Sequence, residues 1–127
     1  MTALHQDQLL ALRPEITTEP ADSVPEQFQN QTLRPILKLQ NELLIRIFRQ
    51  YISKHKDVFR RQSIAEQQAY IVKSLRQDPH LRHFLRGIIS GHFTENEWQQ
   101  FEEHEEEINK RMMKLIEQRL ISQQAVI

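Results

Sequence analysis

The 127-residue chain contains no cysteine, and only two of its residues, Gly87 and Gly91, are glycine. Without cysteine it forms neither disulfides nor thiolate metal sites, and it has no cysteine nucleophile. Because Asn-Gly and Asp-Gly pairs are also missing, nothing marks a β-hairpin. No stretch approaches the ~20 apolar residues of a membrane span, and the N-terminus lacks the pattern of a secretory signal. We therefore predict a cytoplasmic protein that does not engage a membrane.

The residues that dominate the chain are typical of helices, since Gln, Leu, Glu, Arg and Ile are its most frequent side chains. Residues that cap helix N-termini recur at intervals that suit short connections between helices. We propose as caps Ser23, Thr32, Ser63, Asp78 and Thr94. Helices are accordingly expected to begin near residues 24, 33, 64, 79 and 95.

Apolar residues three and four apart predict two long amphipathic helices, over 33–60 and 95–122. Two shorter helices, over 64–76 and 79–91, lie between them. Residues 1–23 form an N-terminal arm with one possible short helix, followed by an extended segment that contains Pro14 and Pro20. We expect an all-α, four- or five-helix bundle-like domain over 24–127, with its two long helices packed antiparallel.

The formal charge is zero overall, but the two signs are separated along the chain. Residues 33–61 hold eight Arg or Lys against Glu42 and Asp57, whereas residues 94–107 hold seven glutamates and no basic residue. These two regions can attract each other within one bundle or across a homodimer. Nucleic-acid binding is a weaker alternative because the overall charge is balanced. It would use the basic 46–61 face: Arg46, Arg49, Lys54, Lys56, Arg60 and Arg61.

Six histidines raise the question of a metal site. His80 and His83 are three residues apart on one predicted helix, which is the best spacing available for two ligands. The patterns Glu-x-x-His and His-Glu-x-x-His, which mark di-iron bundles and zinc proteases, are both absent. We therefore expect exposed histidines and no metal or cofactor.

The turn before the last predicted helix carries the best acid–base candidates. It brings together His92, Glu95 and Glu97, beside Trp98. General acid–base catalysis requires such groups in a concave pocket within hydrogen-bond reach of substrate. The sequence reveals no pocket, so a polar helix–helix turn is the favoured interpretation. Whether the chain is an enzyme is left open, with a non-enzymatic role preferred.

Two features indicate an interface between subunits. Gly87 lies inside a predicted helix, where glycine costs ~1 kcal/mol relative to alanine, and close contact with another helix would explain it. Met112, Ile116 and Leu120 lie on one side of the last helix and serve either the core or a partner surface. We favour a protein–protein interaction or structural/regulatory module that acts as a homodimer. The alternative is a small-molecule-binding protein or enzyme with its site at His92.

Three segments also carry a resemblance: 28–41, which reads FQNQTLRPILKLQN, GHFT at 91–94 and NKRMM at 109–113. Over about residues 25–122 the chain resembles a family of small uncharacterised bacterial proteins, some of which are automatically labelled glyoxalase. That label implies either a β-rich fold with His/Gln and Glu metal ligands or a His-x-His-x-Asp-His motif. Neither pattern is present here, so the resemblance transfers no functional residue.

Overall fold

The computed structural model describes residues 2–127, which contain helices and no β-strand, and the all-α prediction is confirmed. The α-helices are α1 (Ala3–Ala11), α2 (Val24–Phe28), α3 (Arg34–Leu39), α4 (Asn41–Lys54), α5 (Ile64–Gln77), α6 (Pro79–Ser90), α7 (Glu95–Glu103) and α8 (Glu105–Ser122). A π-helical turn, Gln29–Leu33, joins α2 to α3, and 3-10 turns lie at Val58–Arg61 and Gln124–Val126. None of the helices in the described part of the chain is both long and apolar enough to cross a membrane.

The longest helix, α8, lies at the centre of the fold and contacts every helix from α2 to α7. Five of its apolar residues recur three or four positions apart and are buried: Ile108, Met112, Leu115, Ile116 and Leu120. They join a continuous core to which α3, α4, α5 and α6 also contribute, and whose largest fully buried side chains are Phe48, Phe59 and Phe93. Burial of this apolar face is the main force that holds the helices together.

Four of the five predicted caps are confirmed. Ser63 and Thr94 form complete capping boxes, in which the hydroxyl accepts from the N3 amide and the N3 glutamate accepts from the cap's own amide. Asp78 accepts from the backbone amides of residues 80 and 81, and Ser23 accepts from that of residue 26. The starts of α2, α5, α6 and α7 are therefore determined by residues close to each start in sequence.

The fifth cap, Thr32, was predicted wrongly, because the backbone is helical without interruption from Val24 to Leu39. Pro35 cannot donate a backbone hydrogen bond, and its ring would collide with the carbonyl one turn earlier in a regular α-helix. The wider π-helical turn at Gln29–Leu33 lies just before Pro35, so the chain continues past the proline instead of starting a new helix there. This turn leaves the Thr32 side chain buried.

Each of the two predicted long helices is divided in the structure. The first changes direction at Gln40, and α4 then ends at Lys54, before two residues with positive φ, Lys56 and Asp57. The second is interrupted at His104. This break converts three consecutive glutamates, residues 105–107, from the middle of a helix into the first turn of α8, where the helix dipole stabilises negative charge.

The predicted antiparallel arrangement is wrong for the part of the first segment that precedes Asn41. Gln29 accepts a hydrogen bond from Arg111, and Asn41 donates one to Gln123 at 3.4 Å. Residue numbers thus rise together along residues 29–41 and α8, which run parallel. A short connection makes consecutive helices antiparallel, but α5, α6 and α7 separate these two segments and remove that constraint.

Candidate functional site

The most specific polar arrangement in the structure joins the N-terminal arm to the start of α7. Arg13 of the arm donates to both carboxylate oxygens of Glu97, each at 2.7 Å, and to the backbone carbonyl of His92 at 2.7 Å. The side chains of Arg13 and Glu97 are only 7% and 11% exposed. Paired N–H donors on a carboxylate are among the strongest hydrogen bonds in proteins. Glu97 and the His92 carbonyl accept hydrogen bonds from this guanidinium, and Thr32 donates one to Glu97. We call these three groups the Arg13 site.

Glu97 has no capacity left for other partners. Besides Arg13, it accepts from the hydroxyl of buried Thr32 at 2.8 Å and from the backbone amide of Thr94 at 2.8 Å. These bonds occupy about four acceptor positions, which is the capacity of a carboxylate. Burial alone would raise its pKa, but hydrogen bonds from Arg13, Thr94 and Thr32 outweigh burial and hold the pKa below that of an ordinary glutamate.

His92 lies next to this carboxylate but is bonded elsewhere. Its ring Nε2 is 2.6 Å from the side-chain amide of Gln40, the residue at which α3 meets α4. With the amide N–H as donor, Nε2 accepts and the ring proton is assigned to Nδ1, which is buried and has no hydrogen-bond partner among residues 2–127. Burial, and to a lesser degree the charge of Arg13, lowers the pKa of His92 and favours this neutral form.

The predicted acid–base group is thus only partly assembled. Among the described residues, no hydrogen bond joins the His92 ring to Glu95 or Glu97. Glu95 is exposed, and it is its backbone amide that binds the side chain of Gln6 in the arm. Because all acceptor positions of Glu97 are filled, its carboxylate cannot take a proton from a substrate without losing the ion pair with Arg13. Neither His92 nor Glu97 lines any of the five surface grooves described for residues 2–127.

The arrangement is suited to holding a guanidinium. Two signals for it are present in the sequence: Arg13 is the only Arg or Lys among the first 33 residues, and Glu97 was predicted as an acid–base candidate. Thr32 was predicted only as a cap, and Gln40 was not predicted to take part. Arg13, Thr32 and Glu97 come together through the packing of segments that are distant in sequence, which no local pattern reports.

The remaining candidates fall into two groups. His80 and His83 are exposed on α6, and among residues 2–127 no group of three or more His, Asp or Glu side chains is placed to hold a metal ion. Met112, Ile116 and Leu120 are fully buried in the chain's own core, so core packing explains them and a partner surface does not.

Gly87 differs from these three residues because the chain does not use it. A Cβ built at Gly87 meets no atom of another helix among residues 2–127 within 4 Å, so this part of the chain does not make the close helix contact predicted from the sequence. Gly91 ends α6 with φ −62°, and not with the left-handed conformation that favours glycine. Gly87 is exposed on the same side of α6 as Phe84, a large apolar residue with 58% of its surface exposed.

The separated charges do not neutralise each other within the subunit. The four ion pairs between described residues are Arg13–Glu97, Arg60–Asp57, Arg76–Glu117 and Arg111–Glu107, and none joins the basic 33–61 region to the acidic 94–107 region. The six basic residues of the 46–61 face are all exposed. Arg49 and Arg60 of this face donate to backbone carbonyls of Val126 and Ile127.

Comparisons with protein-family models, with curated proteins and with solved structures find no match to this chain. The resemblance to small bacterial proteins therefore stays a prediction, and function is inferred below from the residues themselves.

Proposed function

We propose that this protein is an interaction module that acts as a homodimer, and that its subunits dock through α6. The observation that carries the proposal is the exposure of Phe84, a large apolar residue in the middle of a helix that is nevertheless 58% exposed. Around it the residues His80, His83, Gly87 and Gly91 are also exposed. The positions 80, 83, 84, 87 and 91 follow the helical repeat, so they form one continuous surface, which we call the α6 face.

Gly87 supports a helix of another subunit as the occupant of this face. Glycine inside a helix costs ~1 kcal/mol relative to alanine, and no neighbour in the described part of the chain lies close enough to require it. A second helix can approach the α6 backbone closely at this point because no side chain intervenes. In a two-fold symmetric dimer the same patch serves both subunits. Phe84 of each copy would then lie over Gly87 of the other.

The test is the mass of the protein in solution, measured by size-exclusion chromatography with light scattering. We expect two chains per particle for the wild type and one chain for Phe84→Glu, because the substitution would bury an unpaired charge in the interface. Ile64→Glu is the matched control. Ile64 is an apolar residue 72% exposed, but it lies at the start of α5 and away from the α6 face, so this variant should stay dimeric.

A single chain per particle in the wild type at micromolar concentration would overturn the dimer. A dimer that survives Phe84→Glu would place the interface on another surface. Circular dichroism of both variants checks that each has the helix content of the parent.

A further inference from the structure

Two surface grooves adjoin each other where residues 29–41 run beside α8. Their volumes are about 350 and 280 Å³, and both are lined by Arg34, Leu115 and Gln118. Small-molecule sites in proteins usually measure roughly 300–1,000 Å³, so the two grooves together offer room for a small ligand. We call them the α3–α8 groove.

The charged residues that line the α3–α8 groove are all basic. They are Arg34, Lys38, Arg111, Lys114 and Arg119, and among residues 2–127 no aspartate or glutamate lines either part. The larger groove over α5, α6 and α8 is also rich in basic residues, but Glu106 and Glu117 line it as well. Between the cations lie the buried side chains of Leu37 and Leu115. A concave surface with charge of one sign and apolar walls concentrates ions of the opposite sign.

Most of this positive charge has no acidic partner among the described residues. Only Arg111 forms an ion pair, at 3.0 Å, and the side chain of its partner Glu107 is 50% exposed. Arg34 and Lys38 lie four residues apart on α3, a spacing at which like charges repel each other. The same holds for Arg111 and Lys114, three residues apart on α8. A bound anion would offset this repulsion.

Two of the arginines are held in place by hydrogen bonds that use only part of each guanidinium. Arg34 donates through Nε to the side chain of Asn30 at 3.2 Å. Arg111 donates through Nε to Glu107 and through a terminal nitrogen to Gln29 at 2.9 Å. A guanidinium has five N–H groups, so most of those on Arg34 can still donate to a ligand. Because both side chains are already ordered, binding costs less conformational entropy.

The parallel course of the two segments arranges the cations in a row. The two hydrogen bonds described above between these segments both join positions 82 residues apart. This register places Arg34 beside position 116 of α8, between Arg111 and Arg119. On α8 these two arginines are separated by eight residues, which is about 12 Å at 1.5 Å per residue. A row of this kind suits a ligand with several negative charges in series.

We propose that the α3–α8 groove binds a small oligophosphate, either free or as the phosphate chain of a nucleotide. Arginine and lysine donate strong, charge-assisted hydrogen bonds to phosphate oxygens. Linked phosphates place several negative charges on a chain short enough for this groove, whereas a carboxylate group carries one. A nucleic acid is a less suitable occupant, since a row of about 12 Å spans only three or four nucleotides at about 3.4 Å each.

Isothermal titration calorimetry of the full-length chain with inorganic triphosphate tests this proposal. We expect saturable binding that weakens as salt is added. Arg34→Gln removes the cation shared by both parts of the groove and should weaken binding about tenfold, the effect of losing one hydrogen bond between charged groups. Lys114→Gln, at an exposed position, should also weaken it. Arg46→Gln is the matched control, because it makes the same change of charge at an exposed arginine outside the groove.

Adenosine triphosphate, titrated in the same way, distinguishes the two sources of the phosphate chain. Equal affinities would mean that the groove recognises the phosphates alone, and tighter binding of the nucleotide would mean that its base or sugar also contacts the protein. The proposal is refuted if neither ligand binds at millimolar concentration, or if Arg34→Gln and Arg46→Gln weaken binding equally. A short single-stranded oligonucleotide that binds more tightly than both ligands and displaces them would also overturn it. Circular dichroism of each variant checks that its helix content is that of the parent.

Discussion

The substitution Arg13→Ala removes the guanidinium from a buried ion pair and leaves its carboxylate partner behind. Removing one member of a buried pair costs about 3–5 kcal/mol, because the remaining charge loses its compensation. Glu97 keeps two hydrogen bonds, from Thr32 and from the Thr94 amide. We therefore expect the lower end of that range, about 3 kcal/mol at neutral pH. For a chain of 127 residues this corresponds to a fall of about 10 °C in Tm.

The pH dependence of this loss identifies its cause. In the wild type the pKa of Glu97 is lowered on folding, so its contribution to stability is present above the unfolded pKa, about 4.3, and is lost as pH falls through the folded value. Removing Arg13 takes away two of the influences that lower this pKa, so it rises and the carboxylate protonates sooner. The difference in unfolding free energy between wild type and variant should therefore shrink on acidification.

The assay is urea denaturation at neutral pH and at about pH 3.5, where a carboxylate of ordinary pKa is protonated. Arg60→Ala is the matched control: Arg60 pairs with Asp57 at 2.9 Å, but the two side chains are 46% and 52% exposed. That variant should lie within about 0.5 kcal/mol of the parent at both pH values. If Arg13→Ala also costs less than about 1 kcal/mol at neutral pH, or costs the same at both, the ion-pair explanation is refuted.

Three further substitutions test other parts of the structure by urea or thermal denaturation. Thr32→Val removes a buried donor to Glu97 and should cost about 1–2 kcal/mol, whereas Thr18→Val, at an exposed position, should cost little; equal effects would contradict the hydrogen bond. Gly87→Ala should raise the stability of the subunit by up to about 1 kcal/mol, because the added Cβ meets no atom among the described residues, and it should weaken the proposed dimer. A lower Tm for the monomeric form would contradict this, because it would mean that Gly87 is closely packed within its own subunit. Phe48→Ala should cost about 3–5 kcal/mol, since the ring is fully buried against Tyr51, Phe59 and Tyr70, and a cost below about 1 kcal/mol would mean that the core is assigned wrongly.

The parts of the fold that could be predicted are those determined by neighbours in sequence. Ser63 and Glu66, like Thr94 and Glu97, are three residues apart, so a capping box can be recognised without knowing the rest of the chain. The spacing of Ile108, Met112, Leu115 and Ile116 likewise indicates a buried helix face in any context. Such signals located the starts of α2, α5, α6 and α7 and the buried face of α8.

The candidate site could not be predicted because its members are distant in sequence. Arg13 and Glu97 are 84 residues apart, and no local rule connects a lone arginine with a capping glutamate. Thr32 was expected to start a helix, whereas the structure continues the helix through a wider turn in which Thr32 is buried and bonded to Glu97. The parallel course of the 29–41 segment and α8 is also a property of the whole fold.

The separation of Arg13 from Glu97 has a consequence during protein synthesis. Arg13 is translated 84 residues before its partner carboxylate. At about 5–20 residues per second, this interval lasts roughly 4–17 s. Throughout that time the arm has no binding site on its own chain. The contact between the arm and the body can therefore form only after α7 has been made, later than the contacts among α2 to α6 can begin to form.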